Sequence, residues 1–355
     1  MLLLDPTSSQ PLDGAFRQEL LSIFFINPTG INRLSTRSKE MLVRSRGVLA
    51  SFLGCSNLEV IYTSSSTESN NLAIKGYVYG KKGNILTTNF EHISITHPLK
   101  GLERQGFEVV YIQTDEKGWV DPQAVAEQVR EDTLMVTMGA VCRETSTLRD
   151  IRSIVSAVKE VNPNVVCHFD MWGLYYPSIS MEELDMASFD GPSLMAPQGV
   201  GFLYVKKGIR LKPLIEGGIQ ERGVRAGEEN LFGIYLLSQS VRFLMEKRDE
   251  IDKSFEMCDG FVLENLPLPP AFKEGCKAPA LFSFGLQGVE LEMVISLLER
   301  EDFYLNTSTP CMANRRKCGF DHLLSFRLPP LVPIDELERF LYTLRNTLHR
   351  IGALT

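Results

Sequence analysis

Features that would place a chain at once in a large protein class are missing from these 355 residues. No apolar run approaches the roughly 20 residues that a membrane-spanning helix needs. Lys and Arg form no dense block, and 37 basic residues stand against 44 acidic ones, for a formal net charge of −7. The sequence therefore excludes a membrane-spanning helix and argues against direct binding to nucleic acid.

Cysteine is odd in number and irregular in spacing, with seven residues scattered along the chain. That distribution argues against a disulfide framework and is typical of a reducing compartment. Cys311 and Cys318 lack a second pair at zinc-site spacing, so no metal site is expected. The opening residues, MLLLDPTSS, lack the basic region of a secretion signal. We therefore expect a cytoplasmic protein whose first residues form a strand of the fold.

A regular alternation of strand and helix signals runs through an ordinary globular composition, 44% hydrophobic and 23% charged. Runs rich in Val, Ile and Thr predict strands at EVIYT, NILTT, FEVVYIQ, TLMVTMGA and NVVCHFD. Helical spacing predicts helices between them, and Asp121 followed by Pro122 predicts a helix start. This alternation favours a mostly parallel, doubly wound α/β sheet. From Asn230 a single longer helix, residues 230–255, is predicted to leave that pattern.

The hydroxyl-rich segment YTSSSTESNN lies between a predicted strand and a predicted helix. Free backbone N–H groups and the positive end of the helix dipole make such a turn a natural anion or phosphate site. The same residues also form an ordinary helix N-cap, and the segment alone does not separate the two interpretations.

Asp170 and His92 each follow a predicted strand, where ligands collect in open α/β sheets. A carboxylate at Asp170 can hold a cationic ring nitrogen, or it can cap the next loop. His92 is a flat group that can stack on a ring, or a structural histidine. Both alternatives stay open for both residues.

Cys311 lies in the polar segment LNTSTPCMANRRKC, close to Arg315, Arg316 and Lys317. Nearby cations favour the thiolate, which is the nucleophilic form of cysteine. The residues fit a reactive thiol and an inert loop thiol equally well.

Longer segments resemble the cysteine desulfurase family, within the class V aminotransferase-like group of pyridoxal-phosphate (PLP) proteins. The segment IYTSSSTESNNLAIKG is very similar to the phosphate turn of that family, and GGIQERGVRAGEEN is similar to its glycine-rich segment. EHISITHPLKGLERQGFEVVYIQTDEKGWVDPQAV follows the family pattern through its ring-stacking histidine. The resemblance covers almost the whole chain. It is specific because these segments occur in the family's order and spacing.

The resemblance implies a type I PLP-dependent transferase fold, with a large domain, residues 16–245, built on a seven-stranded, mainly parallel sheet. A small α+β domain is implied for residues 1–15 and 246–355. The family forms dimers with the cofactor site near the subunit interface. Its members hold PLP as a Schiff base on a lysine, take cysteine as substrate and pass its sulfur to a mobile-loop cysteine as a persulfide. That sulfur serves iron–sulfur cluster assembly or tRNA thiolation.

Four positions match functional residues of the family. His92 matches the ring-stacking histidine, and Asp170 matches the aspartate that holds the pyridine nitrogen. Thr67 matches the phosphate-turn threonine, and Cys311 falls at the mobile-loop cysteine.

Other positions, above all in the segment SFDGPSLMAPQGVG, depart from the family where its chemistry is carried. Ser193 replaces the Schiff-base lysine, and Asp190 replaces a phosphate-binding serine. Glu228 replaces the threonine that reaches the phosphate of the neighbouring subunit. Further departures are Pro192 for a histidine, Gly173 for a glutamine, Cys142-Arg143 for an Asn-Asn pair near the ring, and Ser325, two residues before Arg327, for the substrate-binding arginine.

These departures predict the loss of the cofactor. No lysine lies within residues 188–201, since Lys206 and Lys207 belong to the following strand and its end. Asp190 and Glu228 would face a phosphate of about −2 charge. Like charges a few ångströms apart in a partly dry site cost several kcal/mol, which Arg143 can only partly offset. We therefore expect no bound PLP.

The leading hypothesis is a homodimeric, desulfurase-like protein without PLP-dependent activity. It would serve sulfur transfer as a scaffold, or relay a persulfide through Cys311. Its partner would be a cluster scaffold, a tRNA-thiolation protein or an intact desulfurase. An interaction module in which Cys311 is idle is a further hypothesis. The alternative is an enzyme that binds PLP noncovalently, or another ligand, in a remodelled pocket with acid–base groups drawn from His92, Asp170, Asp190 and Glu228.

Overall fold

The computed structural model describes residues 2–3, 28, 33–305, 319–352 and 354. Its central strands are β2 (Val60–Thr63), β3 (Asn84–Thr88), β4 (Glu108–Ile112), β5 (Thr133–Gly139), β6 (Val166–Asp170), β7 (Met186–Asp190) and β8 (Gly201–Val205). They form one seven-stranded sheet in the order β2-β8-β7-β6-β5-β3-β4. β8 runs antiparallel to both of its neighbours, and the other adjacent pairs are parallel. The expected seven-stranded, mainly parallel sheet is confirmed.

Helices accompany the sheet because each crossover between parallel strands must bury an apolar face against it. They are α1 (Arg33–Leu53), α2 (Ser66–Val78), α3 (Ile93–Glu103), α4 (Pro122–Ala126) and α5 (Ile151–Val161). In α5 the residues Ile154, Val155 and Val158 are buried at helical spacing. The predicted start of α4 is confirmed, since Asp121 caps it and Pro122 is its first residue.

The single long helix predicted after the sheet is wrong, because the structure has two helices there. α6 (Leu231–Glu246) and α7 (Arg248–Asn265) are separated by Lys247, whose φ of −104° and ψ of 12° leave the helical region. Leu244 and Ile251 are buried on either side of the break. The apolar spacing therefore continues through the break, and hydrophobic periodicity cannot predict an interruption of the helix at one residue.

A second, two-stranded sheet lies in the C-terminal part, where β9 (Leu281–Leu286) pairs antiparallel with β11 (His322–Arg327). Helices α8 (Leu291–Glu299) and α9 (Ile334–Arg350) pack against each other beside it. The rings of Phe282 and Phe326 stack with centroids 5.0 Å apart. Phe340 of α9 meets the Phe326 ring edge-on at 5.2 Å, which fastens the helix to the strands.

The first residues join this C-terminal part. β1 (Leu2–Leu3) pairs parallel with β10 (Phe303–Tyr304). The strand predicted for the start of the chain is therefore confirmed.

A buried histidine links three neighbouring strands inside the central sheet. His168 of β6 has no exposed surface. Its Nδ1 lies 2.8 Å from the Thr137 hydroxyl on β5, and its Nε2 lies 2.9 Å from the Ser188 hydroxyl on β7. Burial lowers the pKa of His168 from 6.5 to about 4, so the ring is neutral at pH 7.

This histidine predicts a loss of stability in mild acid. The unfolded chain takes up a proton at His168 near pH 6.5, whereas the folded chain does so only near pH 4. Its contribution is therefore complete above pH 6.5 and falls progressively towards pH 4, by up to roughly 3 kcal/mol at about 1.4 kcal/mol per pH unit. Urea unfolding at pH 7 and pH 5 should show a smaller difference for His168→Gln than for the unaltered protein.

His349→Gln, at an exposed position, provides the matched control for the same substitution at the protein surface. Equal pH dependence in His168→Gln and the unaltered protein would contradict the assignment.

Candidate functional site

Three neighbouring strands bring the site residues to one edge of the sheet. Gly139, the last residue of β5, pairs with Asp170, the last residue of β6. Asp170 in turn pairs with Ser188 on β7, whose last residue is Asp190. The turn after β5, which carries Arg143, therefore lies beside both aspartates at the carboxyl edge, where open α/β sheets place their ligands.

Asp170 is 2% exposed, and its carboxylate accepts hydrogen bonds from three groups of its own chain. These donors are Asn70 Nδ2 at 3.0 Å, Arg143 Nη2 at 3.0 Å and the Trp172 N–H at 3.1 Å. Burial alone would raise the pKa of Asp170, but the Arg143 charge and the Asn70 hydrogen bond hold it below its ordinary value. Asp170 is therefore an ionised carboxylate that already has a cationic partner.

Arg143 lies at the centre of the charged groups at this edge. Its side chain is 18% exposed, and its guanidinium lies 4.5 Å from the centroid of the Trp172 ring. Such stacking of a cation on an aromatic face is attractive. The Arg143 charge also acts on His92 and Asp190.

His92 caps α3 as well as bordering this cluster. Its Nδ1 accepts a hydrogen bond from the Ser94 N–H at 3.3 Å and lies 2.8 Å from the Ser94 hydroxyl. Asn70 donates to both Ser94 and Asp170, so it connects the histidine to the ion pair. Burial, and then the Arg143 charge, lower the pKa of His92 to about 3, which leaves the ring neutral.

The turn that carries Ser193 is tightly held. Ser193 is 2% exposed, and its hydroxyl accepts a hydrogen bond from the Gly173 N–H at 3.1 Å. Gly173 has a φ of 84°, which favours glycine, and a Cβ there would lie 3.3 Å from Leu281 Cδ2. Arg327 Nη2 donates to the Ser193 carbonyl at 2.6 Å. The hydroxyl of Ser193 is thus a structural partner of the backbone.

Asp190 and Arg327 interact electrostatically beside that turn. Burial raises the pKa of Asp190, and a hydrogen bond with the Ser193 side chain and the charges of Arg143 and Arg327 oppose that rise. The Arg327 guanidinium lies 3.7 Å from the centroid of the Tyr175 ring. Asp190 Oδ1 and Arg327 Nε are shielded from solvent and have no hydrogen-bond partner among the described residues.

The segment predicted as a phosphate turn caps α2 and also carries an acidic side chain. Ser65 caps α2 by accepting a hydrogen bond from the Glu68 N–H. The Glu68 carboxylate accepts the Ser64 N–H at 2.7 Å and Arg225 Nε at 2.9 Å. Thr67 is exposed on the first turn of α2.

The segment that carries Glu228 is anchored at both ends to this region. Arg225 binds Glu68 on α2, and Asn230 Nδ2 donates to the Gly199 carbonyl at 3.0 Å. Glu228 itself is exposed between the two anchors.

The structure therefore gathers His92, Asp170, Asp190 and Ser193 into one connected cluster, with Thr67 and Glu228 at exposed positions outside it. Cys311 lies outside the described residues. Within those residues, no group of three or more His, Cys, Asp or Glu is placed to hold a metal ion. In the same part of the chain, no helix has the length and apolar character to cross a bilayer.

Sequence reasoning missed the partner of Asp170. The sequence predicts that the charge of Arg143 partly offsets a phosphate, whereas in the structure Arg143 forms an ion pair with Asp170. The order of the strands could have predicted this pairing. Arg143 lies four residues after the end of β5, and the last residues of β5 and β6 are neighbours in the sheet.

PLP makes three demands that can be compared with these residues: an amine for the Schiff base, a carboxylate free for its ring nitrogen, and a cationic or neutral cradle for its phosphate. The first position holds the Ser193 hydroxyl, bound to Gly173. The second holds Asp170, bound to Arg143. Beside the third stands Asp190, whose Oδ1 is shielded and unpaired among the described residues. The residues present do not fit the coenzyme.

Known proteins resemble this chain over most of its length. The family model for aminotransferase class-V matches residues 18–320. A NifS/IcsS protein homolog of Lactobacillus delbrueckii is 30% identical over 343 residues, which cover 91% of this chain and 86% of the relative. The putative cysteine desulfurase IscS 1 of Bacillus subtilis is 30% identical over 326 residues, covering 88% of this chain and 86% of that protein.

Solved structures agree with this fold. A NifS-like protein superposes with a TM-score of 0.88 at 25% identity, covering 98% of this chain and 99% of that one. An apo cysteine desulfurase from Thermococcus onnurineus has a TM-score of 0.86 at 19% identity and shows likeness of fold alone, over 99% of this chain and 95% of that one. The chain therefore has the type I PLP-dependent transferase fold and belongs to the cysteine desulfurase family, within aminotransferase class-V.

Proposed function

We propose that this protein is a cysteine-desulfurase-like member that does not perform PLP-dependent desulfuration and instead serves sulfur transfer as a non-catalytic partner. The observation that carries the proposal is the Arg143–Asp170 ion pair at 3.0 Å, at the position where the family holds the pyridine nitrogen. A carboxylate that already has three donors of its own chain offers little to a ring nitrogen.

The lysine position supports the same conclusion by covalent chemistry. A Schiff base needs an amine, and Ser193 supplies a hydroxyl. The Ser193 backbone and side chain are also fixed, through Arg327 and Gly173. A lysine from the next strand cannot substitute, because Lys206 Nζ donates to the Glu182 carbonyl at the far end of β8.

Electrostatics at the phosphate end adds a third reason. Asp190 stands where the family has a phosphate-binding serine, and its Oδ1 has no hydrogen-bond partner among the described residues. A phosphate of about −2 charge beside a poorly solvated carboxylate is repelled. We therefore expect the protein to carry no PLP.

The sulfur-transfer role rests on membership of the cysteine desulfurases and on the retained Cys311. In a relay, the Cys311 thiolate attacks the outer sulfur of a persulfide on an intact desulfurase. The donor's S–S bond breaks, the donor leaves as a thiolate, and a new S–S bond forms on Cys311. In a scaffold role, the same partners assemble and Cys311 is idle. We expect a homodimer, or a pairing with an intact desulfurase, in the cytoplasm, serving iron–sulfur cluster assembly or tRNA thiolation.

A second candidate function is an enzyme that uses a different ligand at the same edge of the sheet. Its support is the unpartnered pair of polar atoms, Asp190 Oδ1 and Arg327 Nε, one an acceptor and one a donor. Buried polar groups are nearly always hydrogen-bonded, so a small polar molecule or a water at this place would satisfy both. A thermal-shift screen of small polar metabolites, with Asp190→Asn as the control, separates this candidate from the first.

The absence of desulfurase chemistry is directly testable. Purified protein mixed with PLP and cysteine should develop no aldimine absorbance band, retain no coenzyme after borohydride reduction and desalting, and release no sulfide. Ser193→Lys should still bind PLP poorly, because Arg143 remains on Asp170 and Asp190 remains beside the phosphate position. An aldimine band or sulfide release from the unaltered protein would overturn the proposal.

The relay and scaffold roles are separated by the thiol. Incubation with the radiolabelled persulfide form of an intact cysteine desulfurase should label the protein, and Cys311→Ser should abolish the label. Cys55→Ser is the matched control, since burial raises the pKa of the Cys55 thiol to about 12 and keeps it protonated. Unchanged labelling in Cys311→Ser would remove that thiol from the mechanism and indicate another acceptor cysteine, whereas no labelling of the unaltered protein would leave the scaffold role.

A further inference from the structure

We propose that Arg143 is an internal substitute for a cationic ring ligand: its guanidinium holds the binding position at Asp170 and so keeps flat cations out. The inference rests on the proposed function, which it deepens by naming the residue that closes the site. It concerns ligand exclusion alone, so it can fail while the proposed loss of desulfurase chemistry stands.

The shape and charge of the guanidinium carry the first step. It is flat, permanently cationic and a donor of N–H groups in its own plane. Arg143 Nη2 donates to Asp170 Oδ2 at 3.0 Å, while the group stacks 4.5 Å from the centroid of the Trp172 ring. A protonated pyridine ring bound to Asp170 would offer the same three properties: a flat face, a positive charge and an N–H donor. Arg143 and such a ring therefore compete for one carboxylate.

The charge balance carries the second step. Arg143 supplies a positive charge to Asp170, and the charges of Arg143 and Arg327 oppose the rise that burial causes in the pKa of Asp190. A buried carboxylate without a cation is strongly destabilising, so the fold needs this balance. Because the chain provides it from its own side chains, no ligand is needed to neutralise the site.

The backbone that presents Arg143 carries the third step. The turn is closed on both sides of the residue, because the Cys142 N–H donates to the Thr147 carbonyl at 2.9 Å and the Ser146 N–H donates to the Cys142 carbonyl at 2.8 Å. Arg143 thus extends from a hydrogen-bonded turn, and its guanidinium is aimed at Asp170 by the fold. Displacing it requires breaking the ion pair and leaving Asp170 alone until a ligand arrives.

The test removes the guanidinium and supplies a replacement from solution. Arg143→Ala should lower the Tm by roughly 5 °C, because Asp170 loses its cation. Ethylguanidinium or pyridoxine at millimolar concentration should raise the Tm of this variant and leave the Tm of the unaltered protein unchanged. Pyridoxine is chosen because it carries no phosphate for Asp190 to repel. Isothermal titration should show it binding Arg143→Ala at least about tenfold more tightly than the unaltered protein.

Two further variants keep the result specific to the ion pair. Arg143→Ala combined with Asp170→Asn removes the demand for a cation, so the response to both probes should disappear. Arg152→Ala breaks an exposed ion pair with Glu183 and should change neither the Tm nor the binding. Arg143→Asn, which restores the residue of the family, serves if the alanine variant does not fold.

An equal response of the unaltered protein and Arg143→Ala to either probe would overturn the inference, because the arginine would then exclude nothing. A variant that folds and binds neither probe would overturn it as well. A response that survives in the double variant would show that the probes bind elsewhere.

Discussion

A buried carboxylate at the carboxyl edge of the sheet needs a positive charge, and the rest of the site follows from which group supplies it. Asp170 ends β6 and is 2% exposed. Leaving such a group unpaired costs on the order of 3–5 kcal/mol, so the position must be satisfied whenever the protein is folded. In this chain Arg143 satisfies it. Hydrogen bonds then connect the ion pair to Asn70, Asn70 to Ser94, and Ser94 to His92.

The same logic applies one strand further along the sheet. The Ser193 turn is fastened by Gly173 and Arg327. The Arg327 charge also opposes the rise that burial causes in the pKa of Asp190. The chain thus has the type I PLP-dependent transferase fold, and the charged groups at this edge of the sheet interact within one chain.

Much of the fold could be predicted from local pattern. The strands are continuous apolar runs because parallel strands are covered on both faces, and Asp121–Pro122 marks a helix start because each residue suits its place in the first turn. The break at Lys247 could not be predicted, since Leu244 and Ile251 keep the apolar spacing on both sides of it. Position after strands and family resemblance predict four candidate site residues that the structure brings close together, His92, Asp170, Asp190 and Ser193, and their roles stay predictions. The role of Cys311 stays a prediction.

The sequence by itself determined which residues stand at this edge of the sheet: Ser193, Asp190, and Arg143 four residues after β5. Those identities follow from the chain, whatever the geometry. Only the tertiary structure decided the pairing, which joins Arg143 to Asp170 across 27 residues and Arg327 to the Ser193 turn across 134. The physical reason is that a salt bridge depends on distance and burial, and strand register, not sequence spacing, sets both at the edge of a parallel sheet.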